Sequence, residues 1–171
     1  MLISHPAGKG SREKPLEVHL SGVTNLALNN FQRLSLDLKV MQPNDFQHIL
    51  NVTCLLHDIG KASSYFQRHI RGGKKSPHSN HSLISAVIAW QNLQTRLTAR
   101  YAALAFKAIQ RHHGNLSSFY ETNLTTIPGV SVLTDIYDDI ILQAKKHQSL
   151  ATFLGFHNIS LNNPGRSELK D

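Results

Sequence analysis

The chain has a single cysteine, Cys54, set inside an apolar run. That excludes an intramolecular disulfide and a cysteine-based zinc site, so any metal has to be held by His, Asp or Glu. Nowhere do about 18 apolar residues follow one another, the length that a membrane span requires. The opening residues, MLISHPAGKGSREK, lack the apolar block of a secretory signal. A soluble, intracellular and cytoplasmic protein with no membrane partner is therefore expected. There is no GxxxxGK[ST] phosphate loop, so an NTP-driven motor is not to be sought in these residues. Internal repeats, sustained strand alternation and low-complexity tracts are also lacking.

What is present is basic charge and histidine. With 171 residues, 40% of them hydrophobic, one domain with its own core is the default. Eighteen Lys and Arg against 11 Asp and Glu give a formal charge of +7. Such an excess favours a polyanionic partner through counterion release, nucleic acid first, although basic charge is often only a solvated surface. The 11 histidines matter more, because His is the commonest metal ligand.

Apolar residues recur at helical spacing along most of the chain, which predicts an all-α fold. Residues 1–14 show no such period and read as a flexible N-terminal arm. Pro15 suits the first turn of a helix carrying Leu16, Leu20, Val23 and Leu26. A second helix is expected after Pro43, capped by Asn44 or Asp45, running through Phe46, Ile49, Val52 and Leu55 to Ile59. Residues 62–70 fit a short helix, and RGGKKSPHSN at 71–80 fits a loop. Helical spacing returns from His81 and again in TARYAALAFKAIQRHH up to His113, with Gly114 at the C-cap. Residues 115–129 read as loop, and VSVLTDIYDDIILQAKKH as one more amphipathic helix. The domain is expected to span 15–154, with 155–171 a disordered tail.

Four helical segments bring histidine, or histidine with aspartate, to an end or an inner face. His19 lies on the apolar stripe of its helix, as either a core residue or a ligand. His57 and Asp58 sit side by side at the end of an apolar helix, about 100° apart around it, so both can converge on one point. A buried carboxylate is costly unless it meets a cation. A local cap, or a pairing with Lys61, accounts for Asp58 but not for the histidine beside it. His81 opens a helix. His112 and His113 close another, where a helix dipole alone can favour histidine. Bundle interiors are where metal ligands are commonly assembled from such ends, and imidazoles with a carboxylate suit Mn, Fe, Co, Ni or Zn better than calcium.

This order, His19, then His57-Asp58 in LLHDIGKAS, then His81 in HSLISA, then His112-His113 in HHG, resembles the HD superfamily of phosphohydrolases. HDIGK is shared by many of its members. The spacing of HSLISA and the closing HHG narrow the resemblance to the HD nuclease domain of the CRISPR-associated Cas3 proteins, over roughly residues 16–114. The resemblance implies an HD-domain helical bundle with its metal site between helix ends, holding one or two divalent ions (Mn, Ni, Co, Fe or Mg). Asp58 would bridge the ions, one taking His19 and His57, the other His81, His112 and His113. A further aspartate on a late helix completes the first site in the family. Its usual motif is not evident here, and Asp135, Asp138, Asp139 and Asp171 are the possible substitutes.

The implied activity is a metal-dependent nuclease cutting single-stranded DNA in CRISPR interference. A Cas3-type helicase, in cis or in trans, and a CRISPR effector complex would be its partners. Asp58 and Lys61 are the candidate catalytic residues, Lys61 either facing the scissile phosphate or simply exposed. Lys61, Arg71, Lys74 and Lys75 are candidate nucleic-acid contacts, the last three on a loop between ligand segments. His78 is an alternative ligand to His81, whereas His5, His48, His69, His147 and His157 have no supporting context. The alternatives are an HD phosphohydrolase of nucleotides or cyclic nucleotides, which needs an enclosed pocket, and a non-catalytic module binding nucleic acid or protein.

Overall fold

In the computed structural model, residues 1–8, 10–114 and 130–162 are described. Seven α-helices carry the described fold: α1 (Leu16–Arg33), α2 (Pro43–Leu56), α3 (Ser64–Ile70), α4 (Ser82–Gln94), α5 (Ala99–Gln110), α6 (Val130–Lys146) and α7 (Gln148–Phe156). Short 3-10 turns at Ile59–Ala62 and Pro77–Ser79 precede α3 and α4. The expected residues 115–129 and the last part of the expected tail, 163–171, lie outside the described residues.

The architecture follows from which helix is apolar on which faces. Helix α4, with Leu83, Ile84, Ser85, Ala86, Ile88, Ala89 and Leu93 buried, is enclosed on most sides and forms the centre. Helices α2, α5 and α6 pack against it, and α1 lies on α2. Helix α1 contributes Leu16, Leu20 and Thr24, and α2 contributes Ile49, Val52, Leu55 and Leu56, at the three- and four-residue steps that place them on one stripe. No described helix is long and apolar enough to cross a membrane.

Several boundaries differ from those expected. Gln42, with Pro43 behind it at the first helical position, caps α2 in place of Asn44 or Asp45. Helix α2 stops at Leu56, because Asp58 turns out of the helical path (φ −120°, ψ 12°) and the chain tightens into the 3-10 turn against α4. Helix α5 stops at Gln110, and His112 and His113 lie on the turn that follows. A break at His147 separates α7 from α6.

The N-terminal residues are not a flexible arm throughout. Leu2, Ile3 and Ser4 are buried, and strand β1 (Ile3–His5) pairs antiparallel with β2 (Lys14–Pro15). The Gln67 side chain grips both backbone groups of Ile3, accepting from its N–H (3.1 Å) and donating to its carbonyl (2.8 Å). Two apolar residues and a two-residue partner strand are too short to register as a period, yet they close one side of the core. The expected tail is corrected in the same way. Ile159 and Leu161 pack on the core, and the Asn92 amide pairs with both the carbonyl (3.0 Å) and the N–H (2.9 Å) of Ser160.

Candidate metal centre

Asp58 is the centre of the site. Its residue is only 2% exposed, and its two carboxylate oxygens face two groups of imidazoles. Oδ2 lies 2.9 Å from His19 Nε2, 3.4 Å from His57 Nε2 and 2.8 Å from Lys61 Nζ. Oδ1 lies 3.1 Å from His81 Nε2 and 3.2 Å from His112 Nε2. Within the groups, the Nε2 atoms of His19 and His57 approach to 3.1 Å, and those of His81 and His113 to 2.9 Å.

Local structure delivers each of these side chains. His19 projects from α1 next to the buried Leu16 and Leu20. His57 ends α2 and donates its Nδ1–H to the Cys54 carbonyl at 2.8 Å. His112 does the same to the Ile109 carbonyl at 2.6 Å. In both rings Nδ1 is thereby engaged by a backbone carbonyl and Nε2 is the atom turned towards Asp58, the orientation of a metal-ligating histidine. His81 occupies the N-cap of α4. Gly60 allows α4 to come this close: a Cβ there would stand 2.4 Å from the His81 carbonyl oxygen and 2.5 Å from Ile84 Cγ2. The Gly60 N–H donates to Ser85 Oγ at 2.8 Å, locking the turn to α4.

The electrostatics suit a cation. Burial pushes the Asp58 carboxyl up, but hydrogen bonds from His112, His19, His57 and His81 outweigh it and hold the group well below the usual carboxylate range. Burial pushes His81 down despite Asp58, and burial with the nearby His112 and His81 pushes His113 down, so both favour the neutral form that a metal needs. For His112 burial also acts downward, but the Asp58 contact and the Ile109 carbonyl leave it raised.

Two sets of ligand atoms therefore converge, each set within 4.8 Å of itself: His19, His57 and Asp58, and Asp58, His81, His112 and His113. Every residue expected as a ligand is brought into one of them. The donor chemistry, imidazole nitrogens sharing one carboxylate, fits divalent ions of the Mn to Zn series.

Other expectations fare differently. Lys61 is not an exposed lysine. It is buried, paired with Asp58, 3.5 Å from the Ser4 carbonyl and over the Phe66 ring. Arg71 is engaged with the Gln67 side chain and backbone and with the Met1 carbonyl, so its guanidinium fastens the N-terminus. Lys74 and Lys75 are exposed on the loop. His78 stands apart from both sets, 3.5 Å from Asp135 and beside the Tyr65 ring. None of the late aspartates joins either set among the described residues. Asp139 accepts from the Ser64 N–H and from Gln143 instead, and Asp171 lies outside the described residues.

One residue without context in the sequence stands next to the site. The His5 ring is edge-on to His19, with centroids 5.0 Å apart. Only a strand pairing between residues 3–5 and 14–15 brings it there, and no periodicity announces that pairing. A cavity of about 320 Å³ between α2, α4 and residues 157–162 is lined by His48, Asn51, Gln91, Arg96 and His157, and by none of the metal-set residues.

Fold and site together define a helical His/Asp domain of the HD kind, able to hold divalent metal. The family model described as "Cas3, HD domain" matches residues 7–162. The chain belongs to that family: it is a CRISPR-associated Cas3 HD domain, a class of metal-dependent hydrolase. It is 33% identical over 118 residues to the CRISPR-associated nuclease/helicase Cas3 of Haloferax volcanii, a match covering 66% of this chain and 13% of that relative. No solved structure matches the chain.

Proposed function

We propose that this domain is a metal-dependent nuclease that hydrolyses phosphodiester bonds of single-stranded DNA in CRISPR interference, as part of antiviral defence. The observation that carries the reading is the buried Asp58, one carboxylate facing two imidazole sets. His19 and His57 would hold one ion, His81, His112 and His113 the other, and Asp58 would hold both at the short separation that a two-metal site requires. Bound ions activate water and neutralise charge building on the phosphate.

The rest is done by the chain. The Cys54 and Ile109 carbonyls keep His57 and His112 in the ligating tautomer. Lys61 fixes the position of Oδ2 and offsets the charge of Asp58, and reaching a phosphate would require it to leave that carboxylate. No protein nucleophile is called for, and burial pushes the Cys54 thiol up, away from the reactive thiolate. The +7 charge favours a polyanionic substrate, with Lys74 and Lys75 placed to meet its backbone. The similarity to a nuclease/helicase supports a Cas3-type helicase, in cis or in trans, as the source of unwound strand for a CRISPR effector complex.

A nucleotide phosphohydrolase is less well supported, because the polar cavity between α2 and α4 is not built on the metal residues. A non-catalytic binding module is favoured by one observation, the engagement of Asp135 and Asp139 away from the metal sets. The test is cleavage of labelled single-stranded DNA by metal-stripped protein with Mn, Ni, Co or Mg restored, beside Asp58→Ala. Metal-dependent cutting that the variant loses supports the nuclease. DNA binding without cutting under any metal supports the binding module and overturns the nuclease.

A further inference from the structure

The N-terminal strand brings one more ligand-capable side chain to the His19 side of the centre. The centroid separation of His5 and His19, 5.0 Å, equals that of His19 and His57 and that of His81 and His113, and all three pairs are edge-on. By ring spacing His5 stands beside His19 as His57 does, one step outside the 4.8 Å set of His19, His57 and Asp58.

Its support is equally specific. Ile3 is fully buried and held at both backbone groups by Gln67, whose amide also donates to the Lys61 carbonyl at 2.7 Å. Strand β1 is therefore tied to the turn that carries Asp58 and Lys61. Ser4 Oγ donates its one proton to the Lys14 carbonyl at 3.1 Å. At its 3.0 Å contact with His5 Nδ1 it can then only accept. His5 thus carries its proton on Nδ1 and keeps the Nε2 lone pair free, the same tautomer that backbone carbonyls impose on His57 and His112. Meanwhile Asp139 on α6 is spent on Ser64 and Gln143, and Asp135 faces His78.

We propose that His5 is a further ligand of the metal held by His19, His57 and Asp58, entering from the solvent side at a position that no described aspartate of α6 fills. This rests on the metal-centre reading above. Three imidazoles and one carboxylate make that site nitrogen-rich, suited to Co, Ni, Zn or Fe over Mg or Ca. The other coordination positions remain for water and a phosphate oxygen.

The test is cobalt(II) titration of the full chain, followed by visible spectroscopy and by calorimetry, for the wild type, His5→Ala and His57→Ala. His5 is exposed, so its alanine variant should fold and melt like the wild type when metal-free. The expected result for His5→Ala is about tenfold or more weaker binding at one cobalt site. That site should show an altered d–d spectrum, the other site should be unchanged, and added imidazole should restore the lost band. An unchanged affinity and spectrum would overturn the proposal. So would weaker binding with an unchanged spectrum, which would make His5 a packing support for the His19 ring and not a ligand. Folded wild type that takes up no cobalt would overturn the metal-centre reading itself, a result distinct from normal uptake that ignores His5.

Discussion

His19 and His57, on one side of Asp58, come from the body of α1 and the end of α2, where the helical period and the buried leucines set their direction. On the other side, His81 is the cap of α4, while His112 and His113 sit on a turn beyond α5, His113 exposed to solvent. The first side is fixed by two helices that pack directly on one another. The second depends on how closely the N-terminus of α4 approaches the Asp58 turn, and therefore on Gly60. One carboxylate joins a side made by the body of α1 and the end of α2 to a side made by a helix cap and a turn. Disturbances of the carboxylate should strike both sides, and disturbances of the α4 approach only the second.

The largest effect tests the shared carboxylate. Asp58→Asn should leave neither side able to hold its ion, whereas His57→Ala and His113→Ala should each remove one. The asparagine variant also strands the buried Lys61 ammonium without its anionic partner, which should cost about 3 kcal/mol or more of stability in metal-free protein. Metal analysis and denaturant unfolding check both points. An ion retained on either side of Asp58→Asn would break the comparison, since the carboxylate would then not be shared.

A smaller and one-sided effect is expected from Gly60→Ala. The added methyl meets the His81 carbonyl and Ile84 and should destabilise the fold by about 1–3 kcal/mol. It should weaken cobalt binding on the His81 side more than on the His19 side. Equal weakening of the two would mean that the α4 approach sets the whole centre.

The smallest effect lies outside both sides and serves as their reference. Burial pushes the Tyr137 hydroxyl of α6 up to about 12, from an ordinary value of 10, and it donates to Gln91 Oε1 on α4 at 2.8 Å. A raised folded value favours the protonated form in the native state. Its contribution is therefore complete below about pH 10 and lost as pH rises from there through 12. Tyr137→Phe should flatten that alkaline loss in pH-dependent unfolding, with a change of about 1 kcal/mol at neutral pH. Metal affinities on the two sides should stay in the same ratio to one another.

Much of the centre was legible before any coordinates. The candidate ligands His19, His57, Asp58, His81, His112 and His113 stand out because metal binding restricts residue type, and the helices around them because burying one face of a helix imposes a short-range period. Helices α1, α4 and α6 follow from that period almost to their ends. The stops of α2 at Leu56 and of α5 at Gln110 do not, because α2 ends where the Asp58 turn packs against α4 and α5 ends where His112 meets Asp58, causes that lie outside any local window.

By itself, then, the sequence determined the helical class, the one cysteine that leaves metal binding to His and carboxylate, and the family pattern of histidines around Asp58. Only the tertiary structure decided that Lys61 is buried against Asp58, that Arg71 holds the N-terminus, that α6 turns Asp139 away from the metal residues, and that His5 stands beside His19. The physical reason is the range of the forces involved. Helical period and residue chemistry act within a few residues and can be read along the chain. Burial, charge pairing and strand closure depend on which remote segments meet, here residues 3–5 with 14–15, 61 and 67, and that is settled only by packing the whole core.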